Sequence, residues 1–233
     1  MATTSRAGQA VTIGLAALVG ILTLYFAVPR TVAAALLLPG DGPLRALQNG
    51  RAPAAGALEA IVGSRTAAAH WVDDGRLWTD RALARLVEAE LTAAKDQQPP
   101  DPAKLEEISR DLATGLALAP VSPHGWARLA YLRFLQKKQL EVASALRLSF
   151  LTGPYEADMT FPRLRLALAV WSNFTTEERE LARRQIRFGW LLSRDEVVEL
   201  AILSRRTLVF RLALVNQPQD LAIFDSMLKE RSS

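Results

Sequence analysis

The chain has no cysteine and only two histidines, His70 and His124, among its 233 residues. The absence of cysteine excludes disulfides and thiolate metal sites, although it fits both reducing and oxidising compartments. The two histidines lie far apart in sequence, and neither a GxSxG nor an HExxH motif occurs, which argues against a nucleophile triad and a zinc site. We therefore predict no catalytic residue, no cofactor and no metal, and we expect that the protein is not an enzyme.

Aromatic residues make up only 7% of the chain, and alanine and leucine dominate instead, which favours helices over sheets. We therefore predict an all-α fold. Acidic residues are absent from residues 1–40, which contain Arg6 and Arg30, so the rest of the chain has 26 basic and 24 acidic side chains. Because that balance is nearly neutral, a nucleic-acid-binding role has no electrostatic support.

The amino-terminal region contains a long apolar segment. No charged residue occurs in residues 7–29, and residues 10–28 are almost wholly apolar. A helix over residues 10–28 is about 28 Å long, close to the hydrocarbon thickness of a bilayer. We predict a short tail and a single transmembrane anchor in residues 1–30. A cleaved signal peptide is the alternative, because Ala33 and Ala35 supply small residues after the apolar core.

The orientation of the anchor depends on the charges that flank it. Arg30, Arg45 and Arg51 outnumber Arg6 and the α-amine, and this count alone places the remaining chain in the cytoplasm. A very short tail before a long apolar segment, however, is typical of an uncleaved export signal. We favour the second interpretation, a single-pass protein of the bacterial inner membrane with its body in the periplasm.

Residues 31–56 are rich in proline and glycine, which predicts a linker or loosely packed collar. Helical periodicity then continues to the end of the chain, with residues 193–214 as one helix, and predicts about eight or nine helices after the anchor. Four of the helix starts carry residues that are typical of caps: Asp101 with Pro102, Ser122 with Pro123, Thr175 with Glu178, and Ser193 with Glu196.

Two prolines, Pro120 and Pro154, end predicted helices and lie 34 residues apart. This is the period of the tetratricopeptide repeat, a helix pair that stacks on its neighbours. The stretch 122–154 resembles this family, because its residues fall at the characteristic large, small and terminal-proline positions. Arg133 stands at a usual aromatic position and Val142 at a usual alanine position, so the repeat is degenerate. The matching residues are Trp126, Leu129, Ala130, Leu146, Ser149 and Pro154.

The resemblance implies an α-solenoid of antiparallel helix pairs over residues 57–233, which binds partners through a concave groove. In this family the first helix of each pair lines the groove. Helical spacing independently places His124, Tyr131 and Leu135 on one stripe of that helix. We predict these three residues as partner-binding residues. The predicted packing residues of the repeat are Trp126, Leu129, Ala130, Leu146 and Pro154.

Two other groups of polar residues are candidate sites. Arg183 and Arg187 lie on one helical face that suits an anionic ligand, but interspersed glutamates favour a salt-bridged, solvent-exposed face. His70, Asp73 and Asp74 lie close together and suggest a cation site, but adjacent carboxylates in a turn are more typical of turn formation.

The anchor, the collar and the segment LRLSFLTGPYE (146–156) also resemble small bacterial membrane-anchored, repeat-like proteins of surface-polysaccharide assembly. We expect a non-catalytic, membrane-tethered scaffold that binds a membrane-associated protein partner in a cell-envelope assembly, such as polysaccharide export or ligation. The alternatives are a subunit or assembly factor of an integral membrane complex, and an envelope enzyme that acts on polysaccharide. The sequence leaves a small-molecule ligand open.

Overall fold

The computed structural model describes residues 6–232, and this part of the chain is helical without any β-strand. The prediction of an all-α fold is therefore confirmed. Residues 1–5 of the predicted tail lie outside the described residues. The α-helices are α1 (Arg6–Gln48), α2 (Ala57–Ala68), α3 (Gly75–Asp96), α4 (Pro102–Leu118), α5 (Pro123–Leu135), α6 (Gln139–Thr152), α7 (Ala157–Ala169), α8 (Thr176–Leu192), α9 (Arg194–Leu203), α10 (Thr207–Leu214) and α11 (Pro218–Ser232), and a 3-10 turn (Trp171–Asn173) follows α7.

Helix α1 is much longer than the predicted anchor and continues through most of the predicted linker at residues 31–56. It runs without a break through three internal prolines. Each proline removes one backbone donor from the helix, which is why the composition of this segment predicted a linker. The helix persists because residues 33–47 pack against α2, and only residues 49–56 of the predicted linker are non-helical.

The second part of α1 and helix α2 form an antiparallel hairpin. Ala33 packs in one apolar cluster with Ala68, and Leu44 packs in a second cluster with Ile61. The start of α3 contributes to both clusters. The chain forms two compact units, and the boundary between them in the sequence follows Glu88, within α3. The first unit therefore extends well beyond residue 56, the predicted end of the collar.

An ion pair with a buried arginine and a close backbone approach hold the hairpin together. Arg65 is 4% exposed and donates hydrogen bonds to Asp41 Oδ1 at 2.6 Å and to the Leu37 carbonyl at 3.3 Å. A methyl group at Gly40 would lie less than 3.0 Å from the Ala60 carbonyl oxygen and from the Arg65 guanidinium. The absence of a side chain at position 40 is therefore what lets the two helices approach so closely.

The second unit begins at Ala89 and contains helices α4 to α11. Within it, α5 and α6 form an antiparallel pair, since Ser149 near the end of α6 donates a 2.8 Å hydrogen bond to the Pro123 carbonyl at the start of α5. The pair coincides with the predicted repeat at 122–154, whereas the stacking of further pairs into a solenoid stays a prediction. The main apolar core joins α5 to α11, and its largest fully buried side chains include Leu146, Phe150, Leu164, Ile186, Trp190, Phe210 and Phe224.

The predicted helix caps are present at all four positions. Only the third is a reciprocal capping box in which the glutamate also accepts from the cap backbone. The four hydrogen bonds are Ala103 N to Asp101 Oδ1 at 2.9 Å, Gly125 N to Ser122 Oγ at 3.2 Å, Glu178 N to Thr175 Oγ1 at 3.3 Å, and Glu196 N to Ser193 Oγ at 3.3 Å.

The stretch 193–214 differs from the prediction, because it forms two helices, α9 and α10. The break has no glycine or proline, and Arg205 takes up the left-handed conformation instead, with φ of 53°. The Arg206 amide then donates to the Ala201 carbonyl at 3.3 Å, which closes the end of α9. Within the described residues, ten α-helices therefore follow α1.

Candidate functional site

The three predicted partner-binding residues lie along α5, but each has a different environment. His124, in the first turn, is exposed, and its Nε2 lies 3.1 Å from Asp158 Oδ2 at the start of α7. This contact ties the beginning of α5 to α7 and leaves the imidazole accessible. His124 therefore contributes a surface contact between α5 and α7.

Tyr131 is half-buried and points at a carboxylate. Its hydroxyl donates a short hydrogen bond to Glu90 Oε1 near the end of α3. Burial, together with the bond to Glu90 and its negative charge, raises the pKa of the Tyr131 phenol above its ordinary value. The hydroxyl is thus engaged within the protein.

Leu135 lines a surface cleft of about 810 Å³ between the end of α3, the start of α4 and the turn that joins α5 to α6. Three lysines and three carboxylates surround an apolar floor, so the cleft has both signs of charge. The floor includes Ala89, Ala93, Leu105 and Leu135, and the charged residues are Asp96, Asp101, Lys104, Glu106, Lys137 and Lys138.

The predicted packing residues of the repeat lie where the α5 and α6 pair meets its neighbours. Ala130 and Leu146 are fully buried, and Trp126 and Leu129 pack partly buried against the main core. The Trp126 indole also donates a 2.8 Å hydrogen bond to the Pro120 carbonyl, which fixes the turn before α5. Pro154 is exposed, but its carbonyl accepts a bond of 2.7 Å from Gln185.

A polar cluster that the sequence analysis missed centres on Arg163, which is 1% exposed. Its guanidinium donates to the Ser149 and Gly153 carbonyls at 3.1 and 2.8 Å, and to Gln185 Oε1 at 2.7 Å. Burial lowers the pKa of Arg163 to about 10, against the opposing effect of Glu156 and Asp158. The cluster caps the carboxyl end of α6 and joins it to α7 and α8, and its partners, mainly backbone carbonyls, leave no sequence motif.

Arg183 and Arg187, the candidate anionic contacts, share one carboxylate. Glu180 lies 3.4 Å from the Arg183 guanidinium and 2.9 Å from that of Arg187. Arg187 also donates to the Ala213 carbonyl at 3.2 Å. The hydrogen bond from Arg187, with that from Arg183, holds the pKa of Glu180 below its usual range. Both guanidinium groups are therefore engaged in the salt-bridged face that the sequence favoured.

The segment around His70 has local roles. His70 Nδ1 lies 2.8 Å from the Thr66 carbonyl, and Asp74 accepts a 2.9 Å bond from the Arg76 amide at the start of α3. In the described part of the chain, no group of three or more histidine, aspartate or glutamate side chains is arranged to hold a metal ion.

No family model, no curated protein and no solved structure matches this chain. Its function is therefore inferred from its own residues.

Proposed function

We propose that the protein is a membrane-tethered helical scaffold that binds a protein partner in a cell-envelope assembly and catalyses no reaction. The observation that carries the proposal is the continuity of α1. Its first part, residues 8–28, has no buried residue and is apolar enough to cross a membrane, whereas its second part packs in the hairpin with α2. A helix of residues 8–28 is about 31 Å long, which matches the hydrocarbon core of a bilayer.

The polar groups in the apolar segment support a lipid-facing tether. Thr12 and Thr23 donate hydrogen bonds to the carbonyls of Gly8 and Val19 in the same helix, at 3.0 and 2.8 Å. The two threonine hydroxyls of this segment thus need no partner helix. This favours the tether over the alternative of a subunit whose anchor packs within a membrane complex.

The packing of α1 also supports an uncleaved anchor rather than a signal peptide. Ala33, one of the small residues that suit a cleavage site, is 3% exposed and lies within the continuous helix. Cleavage after Ala33 or Ala35 would remove part of the helix that packs against α2.

The location in the bacterial inner membrane, with the chain that follows the anchor in the periplasm, is testable because the chain has no native cysteine. Gln219→Cys puts a single thiol at an exposed position in the first turn of α11. We expect a membrane-impermeant maleimide to label this thiol in cells whose outer membrane alone is permeable. Labelling only after lysis of the inner membrane would place the body in the cytoplasm.

The cleft lined by Leu135 is our proposed partner-binding surface. Its apolar floor suits a buried hydrophobic side chain, and its mixed charges suit a polypeptide better than a uniformly charged ligand. A photoreactive amino acid at Leu135 is expected to crosslink one protein in native membranes. Leu151, which is half-exposed on α6 and outside the cleft, is the matched control. Equal crosslinking from both positions, or none from Leu135, would contradict this assignment.

An enzyme acting on envelope polysaccharide is the second candidate, because the same cleft carries three carboxylates. One of them, on Asp101, already accepts the helix-capping bond from Ala103. Asp96→Asn and Glu106→Gln test the remaining pair. Hydrolysis of a cell-surface glycan by the purified chain, lost in both variants, would favour the enzyme over the scaffold.

A further inference from the structure

The turn between α9 and α10 presents an unusual combination of side chains. We call residues 202–208 the α9–α10 corner. Leu203 and Leu208 are 71% and 65% exposed. Between them lie Arg205 and Arg206, so two exposed leucines and two arginines are held within one short turn.

A groove of about 410 Å³ adjoins the corner, between α7 and the end of α9. Leu168, Ala169 and Leu200 contribute apolar surface to it. Arg165, from α7, and Arg206, from the corner, also line the groove. The arrangement places guanidinium groups from two separate helical segments beside one apolar surface.

These three arginines have no acidic partner, unlike several other arginines of the second unit. Arg183, Arg187 and Arg211 each form an ion pair, whereas within the described chain Arg165, Arg205 and Arg206 pair with no carboxylate. The nearest acidic residue in sequence is Glu199, one turn before Leu203. The corner and its groove therefore carry a net positive charge beside exposed leucines.

We propose that the α9–α10 corner docks onto the surface of an anionic lipid bilayer. Leu203 and Leu208 enter the boundary between headgroups and acyl chains, and Arg165, Arg205 and Arg206 donate charge-assisted hydrogen bonds to lipid phosphates. The charge complementarity selects an anionic bilayer rather than a neutral apolar partner. This inference rests on the proposed tether, since α1 holds the chain at a membrane.

The test uses the full chain reconstituted into vesicles of phosphatidylcholine, with or without phosphatidylglycerol. A single Leu208→Cys thiol carries an environment-sensitive fluorophore, and spin-labelled lipids in the bilayer quench it on contact. Leu140→Cys on α6 is the matched control, because Leu140 is as exposed as Leu208. We expect quenching at position 208 only, only in vesicles that contain phosphatidylglycerol, and weaker quenching at high salt.

Charge variants separate the specific contact from general attraction. Arg165→Gln, Arg205→Gln and Arg206→Gln together remove the three positive charges of the corner and its groove, and each is expected to lower the ratio of docked to undocked chain about fivefold. The control combines Arg51→Gln, Arg110→Gln and Arg184→Gln, which remove the same charge from other exposed positions. Unchanged quenching in the first triple variant, or equal loss in both, would overturn the docking.

Flotation of the same vesicles distinguishes this inference from the proposed function. If the label at position 208 is not quenched, the docking is wrong whether or not the chain floats with the vesicles. If the chain also fails to float, the proposed tether is wrong as well. A shift of the fluorophore emission to the blue without quenching by the bilayer would mean that a protein, such as a second copy, covers the corner. That result would also overturn the lipid contact.

Discussion

Arg163 shows how a single side chain can join three helices. It is buried and donates to neutral acceptors, which are carbonyls at the end of α6 and the amide of Gln185, while the charges of Glu156 and Asp158 also favour its ionised form. Helix carboxyl ends carry partial negative charge, which favours a cation at this place. The loss of this side chain leaves buried acceptors without a donor.

We expect Arg163→Met to lower the free energy of unfolding by about 3 kcal/mol, because buried carbonyls lose their hydrogen bonds. Thermal and chemical unfolding in mild detergent, followed by circular dichroism, measures the change. Arg165→Met is the matched control, since Arg165 lies on the same helix but is exposed and unpaired. If the two variants have equal stability, the cluster does not hold the helices together.

Tyr131 gives the protein a dependence on alkaline pH. Its pKa is raised above 10.0 in the folded state, so the folded protein keeps the phenolic proton while the unfolded chain loses it. The contribution of Tyr131 to the free energy of unfolding is therefore fully present below pH 10.0 and falls as pH rises above that value. Arg163 acts in the opposite direction, because its folded pKa of about 10 lies below its ordinary value.

A comparison of the wild type with Tyr131→Phe isolates the tyrosine, since both chains retain Arg163. We expect the wild type to lose stability more steeply than the variant above pH 10.0. Unfolding curves at a series of alkaline pH values provide the measurement. Parallel curves for the two chains would show that the contact with Glu90 does not persist in solution.

At the scale of elements, the hairpin of α1 and α2 depends on Gly40. A Gly40→Ala methyl group is expected to push the helices apart and to destabilise the first unit by about 2 kcal/mol. Gly42→Ala, two residues on in the same helix, has open space around it and should stabilise the helix by about 0.8 kcal/mol. Hydrogen exchange of α1 and α2 amides measures both effects, and a change of the same sign in both variants would contradict the packing.

Local sequence signals predicted most of the helices. A cap such as Thr175 with Glu178, for example, depends only on residues within one helical turn. The continuation of α1 through its prolines was not predictable, since packing against α2 outweighs the lost backbone bonds. The break before α10 was missed for a similar reason. Arg205 adopts the left-handed backbone conformation that glycine usually adopts at the end of a helix. Because no glycine is present there, the sequence did not indicate the break.

The candidate site was predictable only in part. Leu135 and Tyr131 were found from helical spacing, but the partner of Tyr131 lies 41 residues away on α3. The cleft is formed by α3, α4 and the end of α5. The periodicity of a single helix does not predict which other helices lie beside it. Arg163 was missed because its acceptors come from α6 and α8.

At the scale of the whole molecule, the structure fixes where the chain can be shortened. We expect removal of residues 1–29 to release the protein from membranes washed with carbonate, with the hairpin intact. Removal of residues 1–40 should release it too, but with a lower melting temperature, because Ala33 and Leu37 pack against α2 and α3. Equal melting temperatures would show that the hairpin does not need this part of α1. Retention of the shorter truncation in the pellet would contradict the tether.

In the proposed tether, the direction of the hairpin also depends on bilayer thickness. Because one helix joins the apolar segment to the hairpin, a change in the tilt of that segment turns the hairpin with it. A thicker bilayer requires a more upright helix, and a thinner bilayer requires a more inclined one. Pro29, at the junction, lacks one backbone hydrogen bond, so bending concentrates there. The stiffness of this joint sets how closely the direction of the hairpin follows the thickness of the membrane.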